Sequence, residues 1–484
     1  MLSDLSLKAT RGVLWSLAEN LGLQGMQFVV SILLARLLLP EQFGLIGMLT
    51  LFMGLAQSLL DSGFGSALIQ KKDADQVDYC SVFYFNLVIG VLLTGLLWLA
   101  APHIAVFYEQ PLLTPLTRFL SLNILISAFR LVPFVMLSKR LQFKAMFQIS
   151  LASVAVSGGV GVTMAFMGFG VWSLVVQSVM EAAVRMILVW IASRWQPGMV
   201  FSGNSLRAMF SFGSRMLLSG LLDTFFTNIY QVFIGKVYSP ADLGYYVRAQ
   251  SLQAVAVQPT GMALGRVIFP ALAPIQDDRP RLKQAFKKIM TTAVFFHFPL
   301  MIGLIVVARP LITLLLTDRW SFSIPYFQLF CLVGLMWPLH VLNLNILTIT
   351  GRSDTFLRLE IAKKALVVLA LVITFRLGIV ALLYGQIAVS IAGYLLNSYY
   401  CGKIINYSTP QQIRDFASPL LVSIGMGFAM FLVGEMVALE FQRLLLQFCI
   451  GVLTYLGANL LLGSSVFIEF LNLIKTVIKV PNTV

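Results

Sequence analysis

The sequence predicts an all-α polytopic membrane protein of about 14 transmembrane helices: two pseudo-symmetric six-helix bundles plus two C-terminal helices. Three observations carry this reading. Of 484 residues, 58% are hydrophobic and only 11% are charged, where a soluble domain carries roughly 25% charged residues. Uninterrupted apolar runs of about 20 residues recur along the chain, long enough to cross a bilayer as helices and too long for barrel strands. A pattern near the N-terminus returns about 200 residues later.

The apolar runs fall near residues 12–38, 43–69, 79–101, 115–137, 146–168, 170–192, 208–235, 243–272, 287–309, 322–349, 356–376, 378–400, 417–434 and 444–463. The first is too long for a signal-peptide core and lacks a clear small-residue cleavage site, so it is expected to stay as helix 1. The chain is organised around Ala35 to Gly65, which opens A-R-L-L-L-P-E-Q-F-G-L-I-G-M and ends D-S-G-F-G. It reads as the end of helix 1, a tight turn and the whole of helix 2. Gly235, Pro240, Leu243, Gly244 and Gly265 repeat the positions of Ala35, Pro40, Phe43, Gly44 and Gly65. Later, G-V-W-S-L-V at Gly170 to Val175 opens helix 6 and is answered by G-I-V-A-L-L at Gly378 to Leu383, opening helix 12. An offset of six helices is even, so both copies share one orientation, a parallel-repeat plan. The expected divisions are residues 1–200 and 201–405 for the two bundles and 406–484 for the two extra helices and tail.

Net charge is +14. In a membrane protein the basic residues orient the chain, so nucleic acid is not an expected partner. With the N-terminus in the cytoplasm, 23 Lys and Arg fall on the inner side and six on the outer side. Both termini are therefore expected inside. The loops are short, with no room for a soluble catalytic domain. Walker A, H-E-x-x-H and G-x-S-x-G patterns are absent, and the four cysteines and three histidines are scattered. The chain is thus expected to be no enzyme, with neither a metal centre nor a cofactor.

Ionisable groups inside the spans are the informative residues, since each costs roughly 3 kcal/mol at the bilayer centre. The acidic set is Glu19, Asp61, Glu181, Asp223 and Glu360; the basic set includes Arg118, Arg130, Arg185, Arg215, Arg248 and Arg266. Glu181 and Arg185 are four apart with the acid first, the favourable order for a pair on one helix face. That pair either braces helix 6 or lines a cavity. Asp61 sits at the inner end of helix 2, where it either reaches the interface or faces that cavity. Pro133, Pro259, Pro270, Pro299 and Pro338 lie within or near span ends and are expected to bend them.

With these residues in view, the chain resembles the Wzx-type polysaccharide flippases of the multidrug/oligosaccharidyl-lipid/polysaccharide exporter superfamily. It is most similar to the branch exporting colanic- and teichuronic-acid-like polymers. The motifs that carry the likeness are Ala35 to Met48, D-S-G-F-G-S-A-L-I-Q at Asp61 to Gln70, and G-V-W-S-L-V-V-Q at Gly170 to Gln177. The resemblance implies a MATE-like fold in the bacterial inner membrane. Its implied substrate is a lipid-linked oligosaccharide on a polyprenyl diphosphate, moved from the cytoplasmic to the periplasmic leaflet among the membrane lipids. A polysaccharide polymerase and export machinery are the implied protein partners. Arg130, Arg185, Arg248 and Arg266 are the expected diphosphate or sugar contacts, because guanidinium offers paired donors to phosphate oxygens. Glu19, Asp61, Glu181 and Asp223 are the expected sites for a coupling H+ or Na+. The competing expectations are a MATE-type multidrug antiporter, a lipid II flippase, and a membrane-embedded polymerase or ligase.

Overall fold

The structure, a computed structural model, describes residues 22–61, 63–464 and 466–472, with the side chains of 208–216 and 266 left aside. Among the described residues all regular structure is helical. Helix α1 is Gly22–Leu37. Helices α2 to α9 are Pro40–Asp61, Phe64–Gln70, Gln76–Tyr108, Leu113–Lys139, Phe143–Phe166, Trp172–Ser193, Gly203–Val237 and Pro240–Leu272. Helices α10 to α17 are Arg279–Val306, Ala308–Leu316, Ser323–Leu335, Trp337–Ile349, Ser353–Thr374, Ile379–Ile405, Thr409–Glu435 and Glu440–Leu461.

Twelve described helical stretches are long and apolar enough to cross a membrane. Two further expected spans fall outside that set. Helix α1 is 16 residues from Gly22 to Leu37, and the earlier part of its run lies outside the described residues. Helix α14 carries Asp354, Arg358, Glu360, Lys363 and Lys364 within its first twelve residues. The expected helix 2 is interrupted: α2 ends at Asp61, Gly63 takes the left-handed conformation at φ 71°, and the chain resumes as α3. Only glycine adopts that φ without strain. The expected helix 10 is likewise two pieces, α12 and α13, separated at Met336 just before Pro338.

The chain divides into two compact units, Met1–Val247 and Arg248–Val484. In the first, α4 starts on a capping box between Asp75 and Asp78, and Glu109 ends it in the left-handed region. Asp78 is buried and bridged by Lys71 at 2.6 Å. A core of Phe64, Leu68, Phe83, Val132 and Trp195 fills the same end of the unit. The second unit has a core of Phe295, Val307, Met426, Met430, Tyr455 and Phe467.

The two copies of the sequence motif meet within the first unit. A Cβ built on Gly44 would lie 1.7 Å from the Pro240 carbonyl oxygen, and one on Gly244 would lie 1.9 Å from that of Pro40. The first turns of α2 and α9 therefore touch backbone to backbone, with each glycine against the other copy's proline. No side chain larger than hydrogen fits between them. The second echo is also structural: Gly170 and Gly378 both have positive φ, 57° and 102°, in the turns that lead into α7 and α15.

Three span prolines behave alike. Pro133, Pro299 and Pro338 have no N–H to offer the carbonyl four residues back. Each stranded carbonyl is met by a ring donor or phenol from another helix. The Trp190 indole donates to Phe129 O at 3.0 Å, and the Tyr455 hydroxyl donates to Phe295 O at 2.7 Å. His297 Nε2 lies 3.0 Å from Gly334 O. The backbone defects are thereby satisfied inside the protein, as a water-free environment requires. His340 joins α13 to α15 through Ser390 and Asn397, each at 3.2 Å.

Candidate functional site

Four of the eight expected site residues gather in the first unit, on α2, α5 and α7. Glu181 and Arg185 lie one turn apart on α7 and form a salt bridge, with side chains 24% exposed each. Arg130 projects from α5 within electrostatic reach of Arg185, Asp61 and Glu181. Its guanidinium also lies 5.8 Å from the Phe134 ring centre. Asp61, at the end of α2, accepts a hydrogen bond from Gln57 at 3.0 Å. Two cations and two anions thus share one place on three membrane helices. The charges balance, so the cluster is tolerable without a ligand. It still keeps capacity for one, since the Arg185 side chain is partly exposed beside its carboxylate partner.

The partial exposure of these side chains constrains what surrounds them. Arg130, Glu181 and Arg185 lie within their helices and are not sealed in a core, so they cannot face acyl chains without a large penalty. The α2–α5–α7 face therefore needs a wet or ligand-filled space. Anionic groups fit it best, because a guanidinium can exchange a carboxylate partner for a phosphate with the same paired geometry.

The cluster belongs to a longer polar stripe. Arg130 and Asn123 are seven residues apart on α5, as Arg185 and Ser178 are on α7. Two helical turns separate members of each pair, so each pair shares one helix face. Asn123 Nδ2 donates to Ser178 Oγ at 2.9 Å. Further along, the Phe119 and Trp172 rings meet edge to face at 5.8 Å. The three contacts advance in the same direction on both helices, so α5 and α7 run parallel. Scanning for ionisable groups missed Asn123 and Ser178. Their seven-residue spacing from Arg130 and Arg185 was the signal that could have found them.

The other expected residues lie elsewhere. Glu19 and the Arg266 side chain are outside the described residues. Asp223 is on an exposed face of α8, beside Thr224, whose hydroxyl meets Ser58 of α2 at 2.8 Å. Arg248, on α9, belongs to the second unit and is only 4% exposed. The four expected residues that gather do so within a single unit. Among the described residues no group of three or more His, Cys, Asp or Glu could hold a metal ion.

Comparison with known proteins fits this architecture. The chain is 28% identical over 408 residues to the teichuronic acid biosynthesis protein TuaB of Bacillus subtilis, covering 83% of this chain and 84% of that one. It is 26% identical over 434 residues to the lipopolysaccharide biosynthesis protein WzxC of Escherichia coli, covering 87% and 86%. The succinoglycan biosynthesis transport protein ExoT of Rhizobium meliloti is 28% identical over 330 residues, covering 68% and 67%. Among solved structures, the lipid II flippase MurJ in an inward closed conformation superposes with a TM-score of 0.77 at 16% identity, over 95% of this chain and 99% of that one. An inward-facing multidrug resistance MATE transporter reaches 0.57 at 15% identity, over 80% and 96%. These likenesses to solved structures establish the fold alone. Residues 33–325 match the family described as polysaccharide biosynthesis protein, and the chain, a multi-pass helical membrane protein, belongs to that family.

Proposed function

We propose that this protein carries polyprenyl-diphosphate-linked oligosaccharide repeat units from the cytoplasmic to the periplasmic leaflet of the bacterial inner membrane, with both termini in the cytoplasm. It is a transporter and catalyses no covalent step. The observation that carries the reading is the balanced charge cluster of Asp61, Arg130, Glu181 and Arg185 on membrane helices. Sugars and diphosphate cannot cross hydrocarbon unaided, whereas the polyprenyl chain can stay in it. Arg130 and Arg185 take the diphosphate in place of their carboxylate partners, and Arg248 and Arg266 contribute further cationic contacts. Transport proceeds by alternating access of two like-oriented bundles. Asp61 and Glu181, released from the guanidiniums, take up H+ or Na+; Glu19 and Asp223 are the remaining carboxylates for the same role. A polymerase and export machinery then consume the flipped unit.

The test is complementation. Deletion should strand lipid-linked repeat units in the cytoplasmic leaflet. Wild-type protein should relieve this, and an Arg130→Gln/Arg185→Gln double variant, made in membranes at wild-type level, should not. Full complementation by that variant would remove the diphosphate assignment. Unimpaired flipping by Glu19→Gln, Asp61→Asn, Glu181→Gln and Asp223→Asn variants would remove ion coupling through these carboxylates.

A further inference from the structure

We infer that the α5–α7 face continues beyond the charge cluster as a sugar-binding shelf. In this arrangement Asn123, Ser178, Phe119 and Trp172 hold neutral pyranose units of the substrate whose diphosphate lies at Arg130 and Arg185. The position of the diphosphate rests on the function proposed above; the shelf stands on its own observations.

The first observation is an unmet hydrogen-bonding need. Asn123 Nδ2 donates to Ser178 Oγ at 2.9 Å, while Asn123 Oδ1 is buried and has no partner. An orphaned amide oxygen costs about 1–3 kcal/mol, a penalty that a hydroxyl-bearing ligand lifts. Ser178 is exposed, and because its oxygen accepts from Asn123 its own proton is left to donate outward. The rung therefore offers the Ser178 hydroxyl directly, and the Asn123 oxygen once the amide turns out of its buried pose, together the complement of a sugar hydroxyl.

The second observation is aromatic. Phe119 is 38% exposed and meets Trp172 edge to face at 5.8 Å. A pyranose ring has an apolar C–H face and a rim of hydroxyls, and binding sites for such molecules combine aromatic walls with a few placed polar groups. Phe119 lies one turn from Asn123 on the same α5 face. The four shelf side chains are all uncharged, and the guanidinium of the neighbouring Arg118 is engaged with Trp98, stacked 4.8 Å from its ring centre. Neutral sugars are therefore favoured over uronic acids.

The third observation is register. At a rise of about 1.5 Å per residue, Asn123 lies ~10 Å and Phe119 ~16 Å along α5 from Arg130. Amide, hydroxyl and aromatic groups thus follow the guanidiniums in one line, as sugars follow a diphosphate in a lipid-linked glycan.

The experiment measures binding to the full-length protein in nanodiscs by two probes: undecaprenyl diphosphate, and undecaprenyl diphosphate bearing a neutral disaccharide. Wild-type protein should bind the glycosylated probe more tightly. Asn123→Ala and Trp172→Ala should each weaken the glycosylated probe about 5- to 10-fold, the size of one lost contact. Affinity for the bare diphosphate should stay unchanged, and Trp172→Phe should recover most of the loss. Equal weakening of both probes, or no change in either, overturns the shelf. So does wild-type protein that binds the two probes equally. Tight binding of the glycosylated probe with none of the bare diphosphate would instead overturn the diphosphate assignment and leave the shelf in place.

Discussion

Replacing Gly44 with alanine should destabilise the protein by about 2 kcal/mol, and replacing Gly244 should cost much the same. The new methyl at position 44 would stand 1.7 Å from Pro240 O and 2.6 Å from Pro240 C; the one at 244 would stand 1.9 Å from Pro40 O. Both obstacles are backbone, so no rotamer change relieves them and the helices themselves must move apart. Overpacking of this kind costs about 1–3 kcal/mol or more. Alanine recovers up to about 1 kcal/mol through its helix propensity, which is why the net figure is modest. The reciprocity sharpens the test. Either methyl separates the same two helices, so once one is present the second meets a gap already opened. A Gly44→Ala/Gly244→Ala double variant should therefore be less destabilised than the sum of the singles, by about 1–2 kcal/mol of coupling. Gly95→Ala is the control, because its Cβ would meet nothing within 4 Å. Thermal unfolding of the detergent-solubilised protein, followed by scanning fluorimetry, reads all four variants. A Gly44→Ala protein as stable as Gly95→Ala, or a double variant equal to the sum of its singles, would refute the backbone contact.

Two further outcomes follow from the same structure. Trp190→Phe keeps a ring in place but leaves Phe129 O beside Pro133 without a donor; it should cost about 1–3 kcal/mol in the same unfolding assay. Glu109 lies outside the spans, and its bond to Lys236 at 2.7 Å holds its carboxyl below the ordinary value of 4.5. A lowered carboxylate contributes stability that is present above the ordinary value and is lost as pH falls through the lowered one. The melting difference between wild type and Glu109→Gln should thus be present at pH 7 and vanish under more acidic conditions; a difference that persists there would be inconsistent with the ion pair.

Much of this architecture was legible in the amino-acid order. Long apolar runs leave few alternatives to membrane helices, and the recurrence of Pro40/Gly44 as Pro240/Gly244 marked the place where α2 and α9 touch. The Glu181–Arg185 pair followed from four-residue spacing alone. Interruptions were harder to read: the breaks at Gly63 and Met336 are too short to divide the long apolar runs that contain them. The gathering of Asp61 and Arg130 around that pair depends on three helices that are distant in sequence, and no local pattern reports it. Asn123 was overlooked for a different reason. A neutral amide in a span costs less than a charge, so it draws no notice until its unpartnered oxygen is seen.

Reciprocal pairing of Gly44 with Pro240 and Gly244 with Pro40 has the logic of an isologous interface, the kind that two identical chains form about a twofold axis. In such an ancestor one gene product would have supplied both sides of the joint. Duplication and fusion turn that self-recognition into a covenant between two positions 200 residues apart. Neither glycine can drift toward a larger residue while the other copy's proline keeps its place, so the pair should diverge more slowly than the apolar spans around it.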